Sequence, residues 1–184
     1  MATAAQQIVK ALNFAAHKHT DQRRKGERAE PYVNHLAEVA DLIVTHTGGT
    51  NTEAVVAGLL HDTVEDTETT REELVREFGE NIADIVMECT DDKSLPKADR
   101  KRLQVEHAPH KSDNAKIVKM ADKISNLRAI LHSPPPDWTL DRKREYFNWA
   151  KDVVDGCRGV NDGLEQEFDR TYARGVKTFG MKAA

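Results

Sequence analysis

The sequence predicts an all-α fold, a helical bundle, on three observations. Apolar residues recur at three- and four-residue spacing along most of the 184 residues. Many of these periodic segments are preceded by Thr, Asn or Asp or followed by Gly or Pro, which is how helices start and stop. No stretch joins two-residue alternation to a hairpin turn. Composition agrees: charged residues make up 32%, aromatics 5%, and mean hydropathy is −0.65. Such an Ala/Leu/Glu/Lys/Arg-rich profile favours helix. A chain of this length can bury a sizeable core, and with no internal repeat or long linker, residues 1–184 are expected to form one domain.

The elements follow in order. Ile8, Leu12, Ala15 and Ala16 mark a first helix ending near His19. Thr20 to Pro31 is polar, holds Gly26 and Pro31, and reads as a loop. Val33 to Thr47 forms the second helix, with Leu36, Val39, Ala40 and Ile43 on its apolar side and Gly48-Gly49 as its stop. Thr50 or Asn51 can cap the next helix, which runs through His61. Thr70 with Glu73 fits a capping box for a short helix to Phe78. Ile82 to Cys89 and Lys97 to His107 continue the pattern, and Asp113 can cap a helix from Ala115 to Leu131. Pro134-Pro135-Pro136 is a stop and a stiff connection. Thr139 to Cys157 and Asp162 to Phe179 complete the chain, with Val153, Val154, Leu164 and Phe168 facing the core.

Several function classes are disfavoured. A net charge of −4 argues against bulk nucleic-acid binding, which needs phosphates neutralised. No apolar run is long enough for a membrane, and Met1 to Gln7 lacks a basic segment followed by an apolar core. Cys89 and Cys157 form no CxxC pair and suit packing in a reducing, cytoplasmic setting. The oligomeric state is left open.

The most informative stretch is His61-Asp62-Thr63-Val64-Glu65-Asp66, where an apolar run gives way to four ionisable groups in six residues. At about 100° per residue, positions 61, 65, 62 and 66 fall within roughly a 140° arc of one helix. Burying three carboxylates with a histidine is costly unless a cation offsets it. Two further positions can complete a metal site. His35 stands at a helix start, and Asp122 interrupts an otherwise apolar stripe, with Asn126 one turn on. Two imidazoles and two carboxylates suit Mn²⁺, Fe²⁺ or Zn²⁺ without choosing among them. Taken singly, each has a plain structural reading: a solvated helix face, a helix-start histidine, an acid beside Lys119 and Lys123.

Together the landmarks Gln22-Arg23-Arg24-Lys25-Gly26, Glu30-Pro31-Tyr32-Val33-Asn34-His35, His61 to Thr67 and Val118 to Arg128 resemble the HD metal-dependent phosphohydrolases. More narrowly, they resemble the hydrolase domain of RelA/SpoT proteins and the stand-alone, SpoT-like small alarmone hydrolases. The resemblance implies an HD-type helical bundle and removal of the 3′-pyrophosphate from (p)ppGpp. It implies His35, His61, Asp62 and Asp122 as ligands of one Mn²⁺, and Glu65 and Asp66 as catalytic carboxylates, with the choice of base between them open. It implies Arg24, Lys25 and Asn126 in recognition of the guanine nucleotide. By the same resemblance Lys97, Arg142 and Tyr146 line the pocket and hold the pyrophosphate. Trp138, Phe147 and Trp149 are expected to pack, and the histidines other than 35 and 61 to be structural or on the surface.

The chain departs from the long RelA/SpoT enzymes in two places. Leu36 stands where they often carry Pro after the first metal His, and Lys123 and Ser125 stand where they often read Arg and His. The length leaves room for hydrolysis only. Two other functions suit the same residues: a phosphohydrolase acting on another nucleotide, such as the 2′-phosphate of NADPH, and a nucleotide-sensing module without turnover. A helical protein-binding scaffold needs no metal.

Overall fold

The computed structural model describes residues 2–181; Met1 and residues 182–184, the ends of the expected 1–184 domain, lie outside the described residues. Its elements are α1 (Ala4–Lys18), α2 (Val33–Thr47), α3 (Thr52–Leu60), α4 (Thr63–Asp66), α5 (Arg71–Phe78), α6 (Glu80–Cys89), α7 (Lys97–His107), α8 (Asp113–His132), α9 (Leu140–Asp155) and α10 (Asp162–Phe179), with a 3-10 turn at Ala108–His110. The fold is all-α, as expected. Among the described residues the β-type contact is a single bridge between Arg23 and Pro31, which pinches the loop between α1 and α2.

Two helices form the centre. α3 packs on α1, α2, α6 and α8, and α8 packs on α2, α3, α6, α9 and α10. Every residue from Ala54 to Leu60 is buried, as are Ile117 to Ser125 of α8. The sequence suggests an apolar side for α3 opposite its polar one; the helix is instead buried all round, because neighbours surround it. Its two consecutive leucines, Leu59 and Leu60, each stabilise the fold by about 1.5–3 kcal/mol through burial. Gly58 lets α2 approach closely, since a Cβ there would sit 2.7 Å from Ile43 Cδ1.

Local chemistry sets the ends. Asn51, not Thr50, caps α3 by accepting from Ala54 N at 3.1 Å. Thr70 caps α5, but the other half of the box is absent: Glu73 pairs instead with Lys18 Nζ at 3.0 Å, tying α5 to α1. Ser112, one residue before the expected Asp113, caps α8. The prolines separate α8 from α9, and Thr139 caps α9. Two further points differ from what periodicity suggests. Leu12 is exposed, and Ala11 and Ala15 carry the core face of α1, because small side chains let α1 lie against α3. The segment through His61 is not one helix. α3 stops at Leu60, Asp62 turns out of regular helical geometry at φ −101 and ψ −2, and α4 restarts with Asp66 N donating to Asp62 O at 2.9 Å. Cys89 and Cys157 are both free and buried.

Candidate active site

The break after α3 lies where α2, α3 and α8 meet. The first turn of α2 carries His35, the end of α3 delivers His61 and Asp62, and the middle of α8 carries Asp122. Their polar atoms converge. His35 Nε2 is 3.6 Å from Asp62 Oδ2 and 3.4 Å from Asp122 Oδ1. His61 Nε2 is 3.1 Å and 3.7 Å from the same two oxygens. His35, His61 and Asp62 offer ligand atoms all within 4.8 Å of one another. Asp122 lies outside that compact trio but closes the cluster through both histidines.

Both Nε2 atoms are buried, and neither makes a hydrogen bond; the short approach of His61 to Asp62 lacks hydrogen-bond geometry. Leaving such groups unpaired is costly. A divalent cation shared by the four groups satisfies them, and two imidazoles with two carboxylates are a fitting donor set. The outer atoms are anchored. His61 Nδ1 sits 2.8 Å from Gly58 O, and His35 Nδ1 sits 2.8 Å from Ser125 Oγ. Tyr32 Oη donates to Asp62 Oδ2 at 2.6 Å. Lys123 Nζ donates to Asp122 Oδ2 at 3.0 Å, and Asn126 Nδ2 to Asp122 Oδ1 at 2.6 Å. Burial disfavours the imidazolium of His61, but Asp62 and Asp122 outweigh it and hold its pKa well above the usual 6.5. Burial also opposes ionisation of Asp62 and Asp122. Their imidazole neighbours, and Lys123 beside Asp122, overcome it and hold both well below the usual carboxylate range. A cation at this cluster therefore competes with protons.

The two carboxylates that follow differ sharply. Asp66 is tied on both oxygens, Oδ2 accepting from Gln22 Nε2 at 2.8 Å and Oδ1 pairing with Lys93. Glu65 sits deeper. Its Oε2 accepts from Asp91 N at 3.1 Å, and Arg100 approaches Oε1 only to 3.9 Å. Burial, with Asp62 nearby and despite the Asp91 hydrogen bond, raises the Glu65 pKa.

Asp62, Glu65, Asp66 and Asp122 line the floor of a cavity of about 800 Å³ whose walls are cationic. Lys25, Lys97 and Arg142 line it, with Lys119 and Lys123 beside Asp122 and, without a distinguishing sequence signal, Arg100 and Lys101. Burial and the charges of Arg142, Lys25 and Arg100 lower the pKa of Lys97, a sign that these cations crowd together. A smaller cavity of about 230 Å³ adjoins it, sharing Lys25, Tyr32, Asp66, Asn126, Trp138 and Tyr146 and adding Arg24 and Gly26. Gly26 is pressed on Ser133, whose carbonyl oxygen would lie 2.3 Å from a Cβ at that position. The Arg24 loop is thereby seated on the end of α8. Arg24 Nη1 donates to Asn126 Oδ1 at 3.1 Å, so Asn126 bridges Arg24 and Asp122.

Of the aromatics expected to pack, Phe147 is buried, whereas Trp138 and Trp149 line the larger cavity on either side of Tyr146. Arg142 lies over Trp138 at 4.5 Å and Lys123 over Trp149 at 4.5 Å. Sequence spacing does not reveal these pairings of cations with aromatic faces. Tyr32 had a sequence signal, three residues before His35. Lys119 and Lys123 had one too: both interrupt the apolar stripe of α8 beside Asp122 and are almost fully buried. Among the described residues no helix is long and apolar enough to cross a membrane.

Residues 11–148 match the HD-domain family. The chain is 52% identical over 173 residues to the guanosine-3′,5′-bis(diphosphate) 3′-pyrophosphohydrolase MESH1 of Xenopus tropicalis, covering 94% of this chain and 96% of the relative. It is 49% identical over 172 residues to the human protein of the same name, with 94% and 96% covered. A solved structure described as a metazoan orthologue of SpoT that hydrolyses ppGpp is similar with a TM-score of 0.88 at 41% identity, covering 96% of this chain and 97% of the other.

Proposed function

This chain belongs to the HD-domain family, and from that premise we propose that it hydrolyses (p)ppGpp at the 3′ position with Mn²⁺ as its cofactor, releasing pyrophosphate and GDP or GTP. The observation that carries this is the pair of buried, unbonded His35 and His61 Nε2 atoms facing Asp62 and Asp122 on the floor of a cationic cavity. His35, His61, Asp62 and Asp122 would hold one ion, which would supply Lewis-acid activation of water and of the phosphate ester.

The chain's own residues supply the rest. Glu65 is the base: it is half-buried, its pKa is raised, and Oε1 has only the distant Arg100 as a partner, so it accepts the proton of the attacking water. Asp66, held by Gln22 and Lys93, orders the floor beside it. Water adds to the phosphorus next to the ribose 3′ oxygen, that P–O bond breaks, and the proton returned to the 3′ oxygen restores the ribose hydroxyl. Lys97 and Arg142 neutralise the phosphates under attack and the pyrophosphate product that carries the water oxygen away, with Lys25 beside them. Arg24, Asn126 and Tyr146 lie at the smaller cavity, which suits the nucleoside end, with Arg24 able to stack on the base.

The 2′-phosphate of NADPH presents the same kind of ribose-linked ester to the same floor. Protein supplied with Mn²⁺ and equal concentrations of ppGpp or NADPH separates the two. Release of pyrophosphate from ppGpp at the higher rate is expected; phosphate release from NADPH alone would reassign the substrate. Binding of either without turnover would make the protein a sensor.

A further inference from the structure

A chain of polar side chains runs from His35 outward between α2, α8 and α10. Ser125 Oγ lies 2.8 Å from His35 Nδ1 and donates to Glu38 Oε2 at 2.7 Å. Glu38 Oε1 accepts from Arg128 Nη1 at 3.1 Å, and Arg128 Nη2 donates to Glu167 Oε1 at 2.6 Å. Glu38 and Ser125 each stand one helical turn from a proposed ligand. Glu38 follows His35 by three residues on α2, and Ser125 follows Asp122 by three on α8.

The proton count fixes the direction of the chain. A serine hydroxyl has one hydrogen, and an ionised carboxylate only accepts. That hydrogen goes to Glu38, so Ser125 Oγ faces His35 as an acceptor and His35 Nδ1 is the donor. The lone pair of His35 is then on Nε2, the atom that faces Asp62 and Asp122. His61 reaches the same tautomer differently, with Nδ1 against the Gly58 carbonyl. A carbonyl can only accept, so His61 is fixed by backbone. His35 is fixed by two side chains, and its tautomer depends on Glu38 claiming the serine hydrogen. Without Glu38 the hydroxyl is free to rotate and donate to Nδ1, which would place the proton on Nε2, on the ligand side.

We propose that Ser125 and Glu38 are positioning residues for the metal site, acting in series to hold His35 with its Nε2 lone pair toward the ion. The proposal rests on the metal-site assignment of the preceding section. Glu38 acts only through Ser125, and Arg128 and Glu167 hold Glu38 in place.

The test is a double-mutant cycle read by Mn²⁺ affinity. Chelator-stripped parent, Ser125→Ala, Glu38→Ala, the double variant and Ser125→Thr are titrated with Mn²⁺ by calorimetry at one pH. The thermal midpoint of each metal-free form is recorded alongside. Ser125→Ala is expected to weaken binding about 10–100-fold, the range for lost outer partners of metal ligands. Ser125→Thr restores the hydroxyl and the affinity. Glu38→Ala loses less, and the double variant matches Ser125→Ala within about twofold, since residues in series do not add. Independent structural roles would instead multiply the losses and leave Ser125→Thr no better than Ser125→Ala. Glu38 is about one-third exposed, so its replacement leaves a folded protein should Ser125→Ala prove unstable. Parental affinity in Ser125→Ala, or multiplying losses, overturns the proposal. A parent that binds no Mn²⁺ overturns the metal-site assignment instead.

Discussion

The floor and the wall of the larger cavity are built on opposite principles. On the floor, His35, His61 and Asp122 are buried where α2, α3 and α8 meet, and each has a second atom anchored by a neighbour. On the wall, Lys97 and Arg142 stand on α7 and α9 at the margin of the fold, and the Arg142 side chain is 43% exposed with a loose 3.7 Å contact to Asp137. A floor that is to hold a cation needs fixed geometry, because metal ligands make short contacts at set angles. The wall needs charge at roughly the right place, because phosphates are large and field lines are long. Disturbing the floor should therefore abolish function, whereas disturbing the wall should grade it.

The largest effect is expected on the floor. Asp62→Ala removes a proposed ligand, leaves the Tyr32 hydroxyl unpaired, and should abolish stoichiometric Mn²⁺ binding along with turnover. Metal analysis after gel filtration checks it, and parental occupancy would break the contrast at once. Glu65→Gln should come next. Turnover should fall about 10²–10⁴-fold, the usual worth of a positioned base, with Mn²⁺ still bound.

The same Glu65 substitution carries a pH signature. Its folded-state pKa is raised, so its protonated form is favoured in the folded protein. The resulting stability is present below the unfolded value near 4.5 and lost as pH rises through the raised value. Metal-free Glu65→Gln should therefore unfold at a higher temperature than the parent at pH 7, with the gap closing toward pH 4. A variant no more stable than the parent at pH 7 would mean that Glu65 is not held against its own charge.

The wall should respond more gently. Lys97→Ala and Arg142→Ala are each expected to raise KM about tenfold with kcat less affected, equal to about 1.4 kcal/mol of substrate binding. The penalty should shrink as salt screens the parent. A collapse of kcat instead would move these residues into the chemical step. Arg24→Ala should be the mildest, raising KM a few-fold, because Asn126 keeps its bond to Asp122 when Arg24 leaves. An unchanged KM would remove Arg24 from recognition.

The floor was readable in the sequence because its residue types are expensive to bury and stand out from the apolar residues around them. His61 and Asp62 sit at the end of an apolar run, and Asp122 breaks an apolar stripe. What periodicity misjudged is the backbone between them. A regular helix through 61–66 would set His61 and Glu65 one turn apart on one rod, whereas the turn at Asp62 carries His61 into the cluster and starts α4 anew. The wall was only partly readable. Arg100 and Lys101 look like ordinary solvated charges of a polar segment, and the packing of α7 on α9 brings them round the acids. Trp138 and Trp149 do pack against the core, as expected; that each also turns a face to the larger cavity depends on neighbours far away in the chain. The difference between Glu65 and Asp66 was invisible, since it depends on Gln22, Lys93 and Asp91 from distant loops.

The central claim is that the floor holds a catalytic Mn²⁺ acting on a ribose 3′-pyrophosphate. It is tested most directly by titrating Mn²⁺ into chelator-stripped protein with ppGpp present and following pyrophosphate release. Release should be absent without metal and rise to saturation at one Mn²⁺ per chain. Undiminished release from the stripped protein, or none at saturating Mn²⁺, would contradict it.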